Sequence, residues 1–210
     1  MGAVERRERE KAAFRELVLD AARKIVLSEG FEALTMRKIA EAIEYAPGTI
    51  YLYFKSRDDI AAELTSTGFE ELLHAFAPAA GITDPVERLY RVGELYVQFG
   101  LERSETYRLI FMERYTSAVF DVEQPNSAGE QALDYLVQAF DELRAQGRLA
   151  TTAPSKYLAD AFWSAMHGIV SLKLSCEGYP QTPTDDLVRT MGEILLRGVL
   201  VEFTLRESSG

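Results

Sequence analysis

The chain has 210 residues, of which 47% are apolar and 27% are charged, and it contains a single cysteine, Cys176. This balance excludes a wholly disordered chain, and one cysteine excludes an internal disulfide. Cys176 has no histidine or cysteine near it, so we expect no bound metal, and no cofactor motif is present. No apolar stretch approaches the roughly 20 residues that span a bilayer, so we expect a cytoplasmic protein with no membrane contact.

The net charge of −10 is unevenly distributed along the chain. Residues 1–65 carry 11 basic and 12 acidic side chains, whereas residues 66–210 carry 12 basic and 21 acidic ones. A nearly neutral segment can still present a basic face to phosphate if its acidic side chains lie on other faces. The charge distribution therefore permits DNA binding by the first part of the chain without arguing for it.

Apolar residues recur every three or four positions in every long segment, which predicts helices and no strands. The first helix begins near residue 11 and ends at Gly30, where a left-handed residue is expected. Thr35 then caps a short second helix, and a brief apolar segment follows Pro47-Gly48 and ends near Phe54. Six longer helical segments follow from residue 56 onwards. We predict an all-α protein of about nine helices joined by short turns.

The most informative part of the sequence runs from Thr35 to Lys55. It predicts two short helices separated by a tight turn, which is a helix-turn-helix, the arrangement that places its second helix in the major groove of DNA. The second helix starts with small residues, so its N-terminus can approach DNA closely and offer N–H groups to phosphate. Tyr51 and Tyr53 lie two positions apart and point to different sides, which favours at least one of them reaching DNA.

Arg37 either contacts phosphate or is an ordinary exposed cation, and Thr35 caps its helix whether or not its hydroxyl also faces DNA. Lys55 adds a point charge just before the fourth helix. The predicted DNA-contacting residues are Thr35, Arg37, Ala46, Pro47, Gly48, Thr49, Tyr51, Leu52, Tyr53 and Lys55.

The chain contains the run Gly48-Thr49-Ile50-Tyr51-Leu52-Tyr53-Phe54, preceded by Thr35 and Ile39-Ala40 and followed by Lys55-Ser56. This pattern resembles the DNA-binding domain of the TetR family of bacterial transcriptional repressors over about residues 11–65, with the helix-turn-helix at about 34–53. Two positions depart from the family pattern. Glu44 stands where the family usually has glycine, at a cost of about 1–2 kcal/mol if it is left-handed, and Ala46 stands where it often has a capping serine.

The resemblance implies an effector-binding and dimerisation domain over residues 66–207, and Trp163-x-x-x-His167-Gly168 resembles one branch of such domains. We expect a ligand-responsive repressor that binds a palindromic, double-stranded operator as a homodimer and is released by a small, mostly apolar effector. The last two helices, with small residues such as Ala161, Gly168 and Gly198, are expected to form the dimer interface, although their apolar faces could equally be intrachain core.

Aromatic residues are abundant in the later part of the chain and, at helical spacing, are core residues first. Several of them could together line a cavity between helices for a mostly apolar ligand. The candidate effector-binding residues are Tyr96, Phe99, Tyr107, Phe111, Tyr115, Phe162, Trp163, Met166 and His167.

Two alternative functions stay open. One is a small-molecule-binding or adaptor protein of the same fold that has lost DNA binding, which the departure at Glu44 and the modest basic content keep in play. The other alternative is an enzyme. It is the weaker of the two, because the sequence has no glycine-rich phosphate loop, no nucleophile elbow and no His-Glu-x-x-His motif.

Overall fold

The computed structural model describes residues 2–112 and 127–202. Within these ranges it contains nine α-helices, two 3₁₀ turns and one isolated antiparallel bridge between Leu149 and Leu200, so the predicted all-α fold is confirmed. The helices are α1 (Ala3–Glu29), α2 (Met36–Ala42), α3 (Pro47–Ile50), α4 (Arg57–Ala75), α5 (Pro85–Glu102), α6 (Ser104–Phe111), α7 (Ala128–Ala145), α8 (Ser155–Ser175) and α9 (Thr184–Val199).

The chain divides into two compact units. The first comprises Met1–Phe69 and Glu105–Ser127, and the second comprises Glu70–Ser104 and Ala128–Gly210. Nearly all of α6 therefore belongs with α1 to α3 and with residues 57–69 of α4, although it follows α5 in the chain. The boundary expected at residues 65–66 falls inside α4.

Helix α1 is longer than the periodicity predicts, because it begins at Ala3 and not near residue 11. Residues 4–13 are exposed and almost free of apolar side chains, so they carry no hydrophobic signal. They are nevertheless mostly Glu, Arg, Lys and Ala, which favour helix, and Arg6 pairs with Glu10 one turn later at 3.7 Å. Helix α1 ends at Gly30 as expected, with a positive φ of 82° that glycine adopts readily, although ψ of 167° places the residue outside the left-handed helical region.

The first unit is held by apolar side chains of α1, α2 and α3. Val18, Ala22 and Val26 lie one turn apart along α1 and are fully buried. Helix α2 packs against both α1 and α3, with Ile39 and Ile50 also fully buried. Burying one such isoleucine contributes about 1.5–3 kcal/mol, so this core fixes where the short α3 lies.

Helix α6 approaches α4 very closely within the same unit. A Cβ atom at Gly68 would overlap the side chain of Ile110, so only glycine fits there without a shift. One residue further along, the rings of Phe69 and Phe111 meet edge-on with centroids 5.4 Å apart. The packing of α6 against α4 therefore depends on the close fit of the side chains as well as on the apolar area that is buried.

Helix α5 is central to the second unit, where it packs against α7, α8 and α9. Asp84 caps it by accepting the N–H of Val86 at 2.7 Å, with Pro85 at the first helical position. Two glycines allow close helix packing: a Cβ at Gly93 would lie 3.2 Å from the ring of Phe162, and one at Gly192 would lie 2.8 Å from the ring of Tyr90.

Candidate nucleic-acid interface

The turn between α2 and α3 has the geometry that the sequence suggests. Thr35 caps α2, its hydroxyl oxygen accepting the N–H of Lys38 at 3.1 Å. Glu44 has φ of 58°, so it is left-handed, and glycine would adopt this conformation with less strain. The next residue, Tyr45, donates its N–H to the carbonyl oxygen of Ala40 at 3.0 Å, which closes the turn. The chain is thereby redirected from α2 into α3.

Helix α3 is a single turn with one buried side and one exposed side. Ala46 precedes it and supplies no side-chain cap, as predicted, while Pro47 takes the first helical position. Ile50 is fully buried, whereas Leu52 is 79% exposed. A Cβ at Gly48 would meet no atom within 4 Å, so nothing inside the chain requires glycine there. Gly48 in α3 and Leu52 just after it therefore leave this surface open to a close partner.

The end of α3 is anchored to α1 and α4 through one arginine. The guanidinium of Arg15 donates to the carbonyl oxygen of Tyr53 at 2.7 Å, lies 4.3 Å from the ring centroid of Phe54 and is paired with the carboxylate of Glu63. The ring of Tyr53 also rests on Phe14, with centroids 4.5 Å apart. The sequence analysis missed Arg15, because its partners lie 38 to 48 residues further along the chain.

Charged groups surround the two helices. Arg37 is exposed and its Nε donates to Glu41 Oε1 at 2.8 Å, a contact that raises the pKa of the guanidinium above its ordinary value. Lys38 is paired with Glu29 of α1. Arg37 therefore stays charged at neutral pH, but a carboxylate one turn away competes with phosphate for it.

Lys55 lies between α3 and α4 with its side chain exposed. Its N–H donates to Asp59 Oδ2 at 2.9 Å, and the N–H of Asp59 in turn donates to the hydroxyl oxygen of Ser56 at 3.1 Å. These two hydrogen bonds cap the start of α4 and hold the backbone of Lys55 next to the end of α3.

The ten predicted DNA-contacting residues all lie in the first unit. Eight of them are exposed, whereas Thr49 and Tyr53 are half-buried. A further exposed aromatic residue of the same surface, Tyr45, was not among the predicted contacts. Its neighbour Ala46 was among them, so the position of Tyr45 next to the start of α3 could have indicated that it also contacts DNA.

The candidate effector-binding residues fall into separate groups. Tyr96, Phe99, Phe162 and Met166 are buried in the second unit, while Trp163 and His167 are half-buried there. The remaining three lie elsewhere: Tyr107 and Phe111 belong to the first unit, and Tyr115 lies outside the described residues.

Three of these residues form a hydrogen-bonded chain between α5 and α8. Trp163 Nε1 donates to the hydroxyl oxygen of Tyr96 at 3.0 Å, and that hydroxyl lies 3.1 Å from His167 Nδ1. Because an indole N–H can only donate, the Tyr96 hydroxyl oxygen accepts from Trp163, which leaves its own O–H available to donate to Nδ1 of the His167 tautomer that carries its proton on Nε2. Burial lowers the pKa of His167, in agreement with a neutral imidazole.

A groove of about 430 Å³ lies within the second unit and is lined on its apolar side by Leu95 and Phe99. Glu71, His74 and Arg103 line it as well, so its wall is mixed in polarity. Over residues 2–112 and 127–202, no group of three or more potential ligands could hold a metal ion. Nor is any helix in those ranges long and apolar enough to cross a membrane.

A helix-turn-helix with an exposed second helix, on an all-α chain, defines a DNA-binding protein of the helix-turn-helix class. Residues 18–64 match the family model of bacterial regulatory proteins of the tetR family, and residues 89–195 match the tetracyclin repressor-like C-terminal domain. The second match covers about half of the chain. The protein belongs to the tetR family of bacterial regulatory proteins, which confirms the resemblance seen in the sequence. The family and its relatives are transcriptional regulators, not enzymes.

The relatives include the HTH-type transcriptional repressor KstR of Mycolicibacterium smegmatis, 31% identical over 149 residues, or 70% of this chain and 66% of that one. The aligned regions span 43%, 31% and 66% of the lengths of three curated relatives, in each case less than two thirds. A solved structure of a protein from Rhodococcus sp. RHA1 is 22% identical, covers 88% of this chain and 94% of that one, and gives a TM-score of 0.70.

AibR, solved in complex with isovaleryl coenzyme A and operator DNA, is 14% identical. The match covers 87% of this chain and 97% of AibR and has a TM-score of 0.63. At such identities these structures establish the fold of the chain.

Proposed function

We propose that the protein is a ligand-responsive repressor that binds a palindromic operator as a homodimer and is released by a small, mostly apolar effector. The observation that carries the proposal is the open side of α3, where Gly48 has no intrachain neighbour and Leu52 is exposed. A glycine with open space around it, and an exposed leucine four residues later, leave room for close approach to bases. The name of the relative KstR, a repressor, supports the direction of regulation.

The contacts divide into two kinds. Phosphate contacts fix the position of the protein on the duplex, and base contacts carry the sequence information. In the proposed complex the exposed side of α3 enters the major groove, where Leu52 packs against a thymine methyl group. The base-facing residues are Ala46, Pro47, Gly48, Thr49 and Leu52, and the phosphate-contacting residues are Thr35, Arg37, Tyr51, Tyr53 and Lys55.

The dimer is proposed to form through the outward faces of α8 and α9. Leu172 is 44% exposed and Ile194 is 62% exposed, although both are aliphatic. Among the residues that the structure describes, no packing neighbour lies within 4 Å of a Cβ built at Gly168 or Gly198, so their packing within these ranges does not require glycine. Small and apolar residues on two neighbouring helices suit a four-helix interface between two copies. A twofold axis then presents two α3 helices about 34–36 Å apart.

The effector is proposed to bind in the second unit. AibR was solved with isovaleryl coenzyme A, which combines a small apolar acyl group with a polar carrier. The groove lined by Leu95 and Phe99 offers an apolar wall beside charged groups and has the volume of a small-molecule site. The predicted effector residues on α5 and α8 lie in the same unit. Release from DNA requires a DNA-binding conformation and a second conformation that does not bind DNA. The effector must bind the second one more tightly, and the difference in binding free energy is typically about 1–3 kcal/mol.

The proposal is tested by selection of bound duplexes from a random pool at low salt. We expect a palindrome whose half-sites are about one helical turn apart, with affinity that falls steeply as salt is raised. Sedimentation should show a dimer, which Ile194→Arg dissociates and Val4→Arg, at an exposed position on α1, does not. The failure of any duplex to bind at low ionic strength would leave the non-DNA-binding alternative in place.

Effector coupling is tested by calorimetry with isovaleryl coenzyme A and with free fatty acids as probes, in the presence and absence of the selected duplex. Linkage requires that DNA weaken effector binding by the same factor as the effector weakens DNA binding. Equal effector affinities with and without DNA would contradict the regulatory part of the proposal and leave the DNA-binding part intact.

A further inference from the structure

Tyr45 lies in the turn of the helix-turn-helix, between the left-handed Glu44 and the start of α3. Its side chain is 48% exposed, so the turn does not bury the ring as core. One side of the ring meets Phe14 of α1 edge-on, with centroids 5.1 Å apart and an interplanar angle of 72°. The ring is therefore held in place while part of the side chain remains open to a partner.

Phe14 supports a second tyrosine in the same way. The ring of Tyr53, from the end of α3, lies 4.5 Å from the Phe14 ring. Two phenol rings from opposite ends of α3 thus share one platform on α1. Tyr53 is one of the proposed phosphate contacts, so a residue that shares its support lies next to the same stretch of DNA backbone.

Towards the N-terminus of α1, the face of the helix that carries Phe14 also carries basic side chains. Lys11 and Arg7 precede Phe14 by three and seven positions, which places both on its face of the helix, and both are exposed. Glu10, four positions before Phe14, lies on the same face, but its carboxylate is paired with Arg6 at 3.7 Å. The surface next to the two tyrosines is therefore suited to a polyanion.

We propose that Tyr45 is a further DNA-backbone contact, whose hydroxyl donates a hydrogen bond to a phosphate oxygen beside the one bound by Tyr53, with Phe14 positioning both rings. This inference rests on the proposed function. Tyrosine hydroxyls are common donors to phosphate and carry no base specificity. Because the phenol is neutral, its contact releases no counterion and adds nothing to the salt dependence of binding.

The test is Tyr45→Phe, which keeps the ring on Phe14 and removes only the hydroxyl. The probes are the duplex recovered by selection and a random duplex of the same length. We expect Tyr45→Phe to weaken binding to both by about five- to tenfold, with the slope of log affinity against log salt unchanged. Lys55→Gln, which removes a charge, should instead lower that slope by about 0.9 per protomer.

Tyr179→Phe is the matched control, since Tyr179 is also exposed but lies in the second unit, and it should bind both duplexes like the wild type. Binding of Tyr45→Phe within twofold of the wild type would overturn the inference, and so would a loss confined to the selected duplex, which would indicate a base contact. If the wild-type protein binds neither duplex, both the proposed function and this inference fail. These outcomes are distinguishable, because the wild type is measured in the same titration.

Discussion

Arg15 of α1 donates a hydrogen bond of 2.7 Å to the backbone carbonyl of Tyr53, 38 residues later in the chain. The same guanidinium is paired with Glu63 of α4 and lies over the ring of Phe54. Helix α3 has only four residues and cannot hold its own conformation, because isolated turns of helix are unstable. Its position is therefore fixed by groups on the helices before and after it.

Replacement of Arg15 by methionine should lower the free energy of unfolding by about 1.5–3 kcal/mol, since it leaves the Tyr53 carbonyl and the Glu63 carboxylate without their shared partner. Urea denaturation monitored by circular dichroism measures this change. Arg189→Met is the matched control, because Arg189 forms an exposed pair with Asp186, and its loss should change the free energy of unfolding by less than about 0.5 kcal/mol. Equal losses in the two variants would contradict the anchoring role.

Gly48→Ala should separate stability from DNA binding. The added methyl group meets no packing neighbour within residues 2–112 and 127–202, and alanine favours helix, so the free protein should be at least as stable as the wild type. If α3 approaches bases closely, the same methyl group should lower affinity for the selected duplex at least about tenfold, measured by fluorescence anisotropy. Gly81→Ala, also without a neighbour but in the second unit, should leave affinity unchanged. Unaltered DNA binding by Gly48→Ala would argue against close approach at this position.

Substitutions of the two members of the Arg37–Glu41 pair should have opposite effects on DNA binding. Arg37→Gln should lower the salt slope by about 0.9 per protomer, because one phosphate is no longer neutralised. Glu41→Gln should raise affinity about two- to fivefold, because it removes a carboxylate that competes with phosphate. Asp160→Asn, which breaks a similar one-turn pair with Lys156 in the second unit, serves as the control. A weaker affinity of Glu41→Gln would indicate that the pair orients Arg37.

His167 predicts a pH dependence of stability. Burial lowers its pKa in the folded protein, so the unfolded chain binds more protons below about pH 6.5. The free energy of unfolding should therefore fall as the pH drops from about 7.5 to 5.5, and protonation of Nδ1 would also remove the acceptor of the Tyr96 hydroxyl. Urea midpoints over this range should vary less in His167→Gln than in the wild type. Ser164→Ala, on the same helix, should keep the wild-type dependence, and an equally steep variation in His167→Gln would count against the idea.

Local features of the fold follow from the sequence. Thr35 caps α2 and Asp84 caps α5 because each is a suitable acceptor directly before a helical pattern. The strained Glu44 could be recognised because the family pattern has glycine there. The first turns of α1 could not be found from apolar periodicity, because residues 4–13 have almost no apolar side chains, although their helix propensity and charge pairing were available signals.

Long-range relationships were beyond the sequence. Tyr107 and Phe111 looked equivalent to Tyr96 and Phe162 as aromatic residues at helical spacing, yet they belong to the other unit, with Phe111 edge-on to Phe69. Spacing along a helix shows which residues share a face, but it does not show which helix that face meets. The same limit concealed Arg15, whose role depends on residues far along the chain.

The fit of Gly68 against Ile110 has a mechanical consequence. Because no methyl group can be accommodated between α4 and α6, the two helices cannot slide along each other without separating. A displacement of α6 at Ile110 is therefore passed directly to the backbone of α4 at Gly68, because Gly68 has no side chain that could adjust in between.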